Sequence, residues 1–272
     1  MCAGSARAVS ATGVELPLDV TLAELVERLD DGEMHAWTAS VPDDRASNTD
    51  PTTFDDAAIE RLRLAAEEVA WLTGRGYALE AVGNLVAEHH SLSDEHRAAL
   101  ARGTCSEPQY RRRAARELEA EDVARRPLAI DAIDAVATIE AALGGRPVLQ
   151  TLDGTVRAFG VDRAAYALGS AADDALDRLL GVAKVLRPSL LKFVVDERAP
   201  GASELAARIE ARAKVHKAKV EVAGVPDARR ALRKERQIVT GDADTLDACA
   251  AWFNLVGRVV EVIPRAKIIR LQ

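Results

Sequence analysis

Acidic residues fall in this chain where short apolar runs stop. "LAID" ends at Asp131, "FVVD" at Asp196 and "QIVTGD" at Asp242, while Asp227 follows the run "VEVAGV" as a helix begins. Asp134 and Asp244 lie close behind two of them, in "IDAID" and "GDAD". Carboxylates gathered together repel, and burial raises the cost. Such a cluster keeps protons, pairs with Lys or Arg, or holds a hard cation. No matching set of basic residues stands at the ends of these runs, so magnesium or manganese is the expected occupant. These ions take one or two carboxylates directly and leave positions for water and phosphate oxygens. An ion held this way can activate water and stabilise an in-line displacement at phosphorus.

Each acid also has a plainer reading. Asp131 can cap a helix, and Asp196 can end a strand in a turn. Asp227 sits where acids favour a helix N-terminus. Asp242 and Asp244 can be a cap and a first-turn acid. The joint pattern is harder to explain this way, because separate runs all place acid at the same edge. Asp247, one turn further on, reads as a solvated surface acid.

The elements that must position these acids follow from periodicity. Residues 1–54 read as an extension, with one amphipathic helix in "VTLAELVERLDDGEMHAW" and a polar linker after it. Residues 55–126 read as a small helical domain. Its first helix carries Leu62, Ala66 and Val69 on one stripe, Ser93 caps a later one, and the charged run "RRRAARELEAEDVARR" reads as a solvated connecting helix or, more sharply, as a basic edge that meets phosphates. From residue 127 to 272 strands alternate with helices. "RPVLQTLDGTVRAFG" is a hairpin turning at Asp153-Gly154, residues 161–186 and 202–216 are helical, and Pro226 opens a short helix. "ADTLDACAAWFNLVG" reads as a helix and "RVVEVIP" as a late strand, with "AKIIRL" a further candidate after it. This is an α/β class: a mostly parallel sheet covered by helices on both faces, preceded by a small all-α domain. In such sheets ligands bind beyond the carboxyl ends of the strands, where the acids lie.

Bulk properties narrow the class of partner. The 272 residues are 48% hydrophobic, enough for a substantial core, and carry a net charge of −7. That excludes a generally basic nucleic-acid coat and leaves local patches open. Three scattered cysteines form no C-x-x-C pair, which fits a reducing cytoplasm and neither a disulfide framework nor a zinc knuckle. No secretory leader or membrane span is read, so the expectation is a soluble cytoplasmic protein.

These motifs resemble the PIN-like fold, in particular its NYN branch of metal-dependent ribonucleases. "IDAID" matches the first motif at Asp131, with Asp134 where that branch has Asn and Ala132 where it has Gly. "FVVD" matches the second at Asp196, "VPDARRAL" the third at Asp227, and "VTGDAD" the last at Thr240, Gly241, Asp242 and Asp244. The likeness covers roughly residues 127–265. The whole chain is also similar to a prokaryotic family that pairs a small helical domain with such a C-terminal domain. Asp134 keeps an oxygen ligand and adds charge, while Ala132 crowds the backbone approach that glycine allows. Haloacid-dehalogenase phosphatases fit less well, since their first motif needs acids two apart and Asp131 and Asp134 are three apart. Toprim domains lack their strand ending in Glu-Gly here.

The resemblance implies an enzyme that hydrolyses phosphodiesters, most readily of RNA, with magnesium or manganese. It implies Asp131, Asp196, Asp242 and Asp227 as the catalytic acids, with Asp134 and Asp244 completing the metal shell. It also implies homodimers by analogy. A non-catalytic RNA-binding or regulatory module and a small-molecule phosphatase are the alternatives.

Overall fold

A computed structural model describes residues 53–159 and 165–272. The helix expected within residues 1–54, and the first residues of the one expected from 161, lie outside the described residues. Among the described residues no helix is long and apolar enough to cross a membrane. The protein is a mixed α/β chain with a mostly parallel sheet and an all-helical N-terminal region.

The helical region contains α1 (Asp56–Gly74), α2 (Leu79–His89), α3 (Asp94–Gly103) and α4 (Glu107–Ala114). Local chemistry starts each of three of them. The Asp55 side chain accepts from the Ala58 amide at 2.7 Å, Ser93 accepts from His96, and Ser106 forms a capping box with Gln109. Leu62, Ala65, Ala66 and Val69 make the buried stripe of α1.

The charged run after α4 is not one connecting helix. It stops at Ala114 and resumes only as the short α5 (Ala120–Val123). Between them the Leu118 amide donates to the Trp252 carbonyl at 2.8 Å, and the Trp252 amide to the Arg116 carbonyl at 3.0 Å. Pairing with a distant strand segment replaces the helical hydrogen bonds.

The main sheet is built from β1 (Pro127–Asp131), β4 (Leu190–Asp196), β5 (Val220–Val225) and β6 (Ile238–Val239), parallel, in the order β5-β4-β1-β6. Alternation along the strands separates two cores. Leu128, Ile130, Leu191, Phe193 and Val195 join one cluster with α6 (Ala132–Leu143), α7 (Ala172–Leu186), α8 (Ala202–His216) and α11 (Leu255–Glu261). Ala129 and Val194 face the other way, against α9 (Ala228–Leu232), α10 (Ala243–Ala248) and Trp252.

A second sheet, in the order β3-β2-β7, joins the hairpin β2 (Val148–Gln150) and β3 (Val156–Ala158) to β7 (Ile268–Arg270). Gly154 takes a positive φ of 84° at the hairpin turn, where glycine has no Cβ penalty. This sheet carries the helical region. Leu149, Ile269 and Leu271 pack into one cluster with α1, α2 and α3. At Gly103 the approach is so close that a Cβ would lie 2.3 Å from Leu271 Cδ1. The two parts of the chain therefore share a core rather than meeting through a linker.

Three further expectations are corrected. "RVVEVIP" is not a strand: Val256, Val259 and Val260 line one buried face of α11, which Asn254 caps. Burial of that face overrides the strand preference of β-branched residues. The last strand is β7, in "AKIIRL". "ADTLDACAAWFNLVG" is not one helix, because Phe253 donates to the Ile238 carbonyl at 2.8 Å and draws the segment alongside β6. The helix expected over residues 161–186 begins only at Ala172.

Candidate functional site

In the main sheet β1 is flanked by β4 on one side and by β6 on the other. The chain order reverses there, so a crevice opens beyond the carboxyl ends of β1 and β6. A cleft of about 860 Å³ occupies this place. Asp134, Asp196, Asp227, Asp242 and Asp244 line it. Five of the six sequence-predicted acids therefore reach one space. The sixth, Asp131, is fully buried and holds two elements together. One of its oxygens accepts from the Asp134 amide at 3.5 Å as the cap of α6, and the other from Thr240 Oγ1 at 3.1 Å.

The first and last motifs lock together through backbone. The Gly241 amide donates to Asp134 Oδ2 at 2.6 Å. A Cβ on Gly241 would come within 3.1 Å of that oxygen and 3.0 Å of Arg157, so a larger residue here would make both side chains give way by a few tenths of an ångström. Asp242 caps α10 by accepting from the Thr245 amide at 2.9 Å and hydroxyl at 2.7 Å. Asp227 caps α9 through the Arg230 amide at 3.0 Å, so Pro226 precedes the cap instead of opening the helix. Asp244 is exposed in the first turn of α10.

Basic residues meet these acids, which corrects the expectation that none would. Arg198 donates to both oxygens of Asp196, at 3.1 and 3.0 Å. Arg229 pairs with Asp242 at 2.8 Å. Arg102, Arg113 and Arg157 line the cleft as well. Arg198 follows its partner Asp196 by two residues, in "DER", and that spacing was the available signal, whereas Arg229 pairs with Asp242 from another motif. Arg113 lies in the charged run whose basic-edge reading pointed to it, while Arg102 and Arg157, from α3 and the hairpin, carry no local signal.

Among the described residues no three His, Cys, Asp or Glu side chains form a ready metal-ligand group. The charged oxygen donors lining the cleft are nevertheless carboxylates. They suit an ion that takes one or two carboxylates and completes its shell with water and substrate phosphate, as magnesium does.

Beneath the cleft lies a buried charge network. Asp153, read from sequence only as a turn, accepts from Arg113 Nη1 at 2.5 Å, Arg157 Nη2 at 3.1 Å and the hydroxyls of Thr151 and Thr155 at 2.5 and 2.6 Å. Asp247 is not a solvated acid. It accepts from Arg113 Nε and Gln109 Nε2, both at 2.8 Å. Burial alone would push its carboxyl up, but Arg113 and Gln109 hold it below the usual range.

Residues 120–258 match the family described as "Domain of unknown function (DUF5616)". The chain belongs to that family. Residues 61–116 match a second description, "Protein of unknown function (DUF434)". "Uncharacterized protein MJ0935" of Methanocaldococcus jannaschii is 25% identical over 181 residues, which cover 66% of this chain and 86% of that relative. No solved structure matches. The DUF5616 match contains all six acids, whereas Arg102 and Arg113 lie in the DUF434 match. The Arg113 to Asp153 and Asp247 pairs therefore join the two matched regions.

That junction sets a pH dependence. Burial pushes the Asp153 carboxyl up, but Arg157, the two threonine hydroxyls and Arg113 outweigh it and bring it from 3.8 down to about 2. A depressed carboxylate stabilises the fold above its unfolded pKa and loses that contribution as pH falls through the folded value. Between about pH 4 and pH 2 the DUF5616 chain should lose roughly 2 kcal/mol from this group. Urea midpoints across that range check it. Asp153→Asn should flatten the slope there.

Proposed function

We propose that the cleft hydrolyses phosphodiesters, with RNA as substrate and magnesium or manganese as the metal. One observation carries the reading: carboxylates from separate strand ends line the same cleft as five arginines. A site for a hard cation and a site for phosphate oxygens then occupy one space. Asp134, Asp196 and Asp242, with Asp227 and Asp244 at the rim, are the residues that would hold the cation. When bound, such an ion polarises a phosphoryl oxygen. Asp131 acts from beneath, fixing the start of α6 and the Thr240 hydroxyl. Gly241 keeps Asp134 turned toward the end of β6. Arg198 and Arg229 are 68% and 49% exposed, so they can turn from Asp196 and Asp242 toward a substrate phosphate.

The test is cleavage of a labelled single-stranded RNA by chelator-treated protein on titration with manganese. Asp242→Asn and Asp134→Asn should each reduce the rate by about 100-fold, the scale of losing a group that meets transition-state charge. Equal cleavage by wild type and both variants would come from a contaminant and sink the assignment. Parallel assays on phosphomonoesters separate a small-molecule phosphatase.

The ion pairs of Asp196 and Asp242 favour one second reading, a regulatory RNA-binding module whose acids are permanently neutralised by arginine. Retained RNA binding, with no heat of manganese binding in calorimetry, would select it.

A further inference from the structure

The arginines of the cleft are not equivalent. Arg113 and Arg157 are held by Asp153, Arg198 by Asp196 and Arg229 by Asp242. Arg102, in the last turn of α3, lines the same cleft, yet among the described residues its guanidinium makes no hydrogen bond or ion pair. Asp134 and Asp242 act on it electrostatically across the cleft without touching it. Burial and the nearby Arg157 cation both press its pKa down, so its charge is poorly compensated where it sits. A guanidinium stays protonated under such pressure, and an arriving anion relieves the cost.

Its placement is rigid at the backbone. The Arg102 carbonyl accepts from Arg157 Nη1 at 2.8 Å, and the Gly103 carbonyl from the Leu152 amide at 2.9 Å. At Gly103 α3 seats closely on Leu149 and Leu271. A long cationic side chain is therefore anchored at its root and presented opposite the acids. A phosphate lying between the two walls would meet Arg102 on one side and a carboxylate-held cation on the other.

We propose that Arg102 binds a phosphate of the RNA, so that the helical region supplies one wall of the substrate site and the α/β region the other. The identity of the ligand rests on the phosphodiester reading above, while the binding role of Arg102 is tested without hydrolysis. Anisotropy of a short labelled single-stranded RNA, in EDTA and over a range of KCl concentrations, is measured for the full chain, Arg102→Ala, Arg102→Gln and Arg102→Lys. The neutral variants should bind about tenfold more weakly. Their plot of log affinity against log salt should be shallower by about 0.7, the loss of one phosphate contact on a single strand. Arg102→Lys should keep the wild-type salt slope with part of the affinity lost, because it keeps the charge and loses the fork. A purely structural role would not move the slope, and thermal melts of all four proteins show whether each is folded.

Neutral variants that are folded and bind with wild-type affinity and slope overturn the proposal. If they do so while Asp242→Asn abolishes cleavage, the Arg102 role falls alone and the nuclease reading survives. If no protein cleaves RNA but the neutral variants lose affinity and slope, hydrolysis falls and the Arg102 role stands. A wild-type chain that does not bind RNA overturns both.

Discussion

Arg113→Met should lose about 3–5 kcal/mol of stability in urea unfolding, the usual cost of removing one partner from a buried pair. The side chain is 2% exposed and pairs with Asp153 and Asp247 on two other elements. Its Nη2 also donates to the Ala243 carbonyl at 3.2 Å. Methionine fills much of the volume and meets none of these oxygens. Arg157 still reaches Asp153, so the damage concentrates on Asp247 and on the junction of α4 with α10. Adding Asp247→Asn should recover part of the loss, because that carboxylate is the charge left stranded, while Asp153 keeps Arg157. A double variant no more stable than Arg113→Met would show instead that the arginine acts through packing.

Trp252→Ala should cost a similar 3–5 kcal/mol. The indole is fully buried against the face of the sheet that carries Ala129 and Val194. Its Nε1 donates to the Arg113 carbonyl at 2.8 Å. β6 is only Ile238–Val239, and the backbone of the 251–253 segment supplies part of its hydrogen bonding. Losing the indole therefore loosens the strand that delivers Thr240, Gly241 and Asp242. Trp252→Phe keeps most of the packing and removes one of two donors to the Arg113 carbonyl, which still accepts from the Arg116 amide at 3.0 Å, so about 0.5–1.5 kcal/mol should follow. The indole bonds to the Arg113 backbone carbonyl, which Arg113→Met retains, so non-additivity of the two substitutions would come from α4 shifting once the guanidinium contacts are lost. A double-mutant cycle with zero coupling would contradict a shared brace.

Much of the candidate site was legible locally. Asp131, Asp196 and Asp242 sit where an apolar run ends, and Asp227 where a helix begins, because strand burial and helix capping are short-range preferences. The hairpin at Asp153-Gly154 and the cap at Ser93 were readable for the same reason. The "VVEV" run misled because a β-branched run fits a buried strand or a buried helix face, and only its neighbours choose between them.

The sequence by itself determined the α/β alternation and the edge on which the acids fall. It also determined several of the caps that start the helices. Tertiary structure decided which acids face the cleft and which, like Asp131, hold it from below. It alone supplied Arg102 and Arg157 and the partners of Arg113, which meets Asp247 across 134 residues and Asp153 across 40. Hydrophobic periodicity and capping act over a few residues and leave a pattern in the chain. A charge acts on whatever the fold brings within a few ångströms of it, and that partner leaves no mark on the residues beside it.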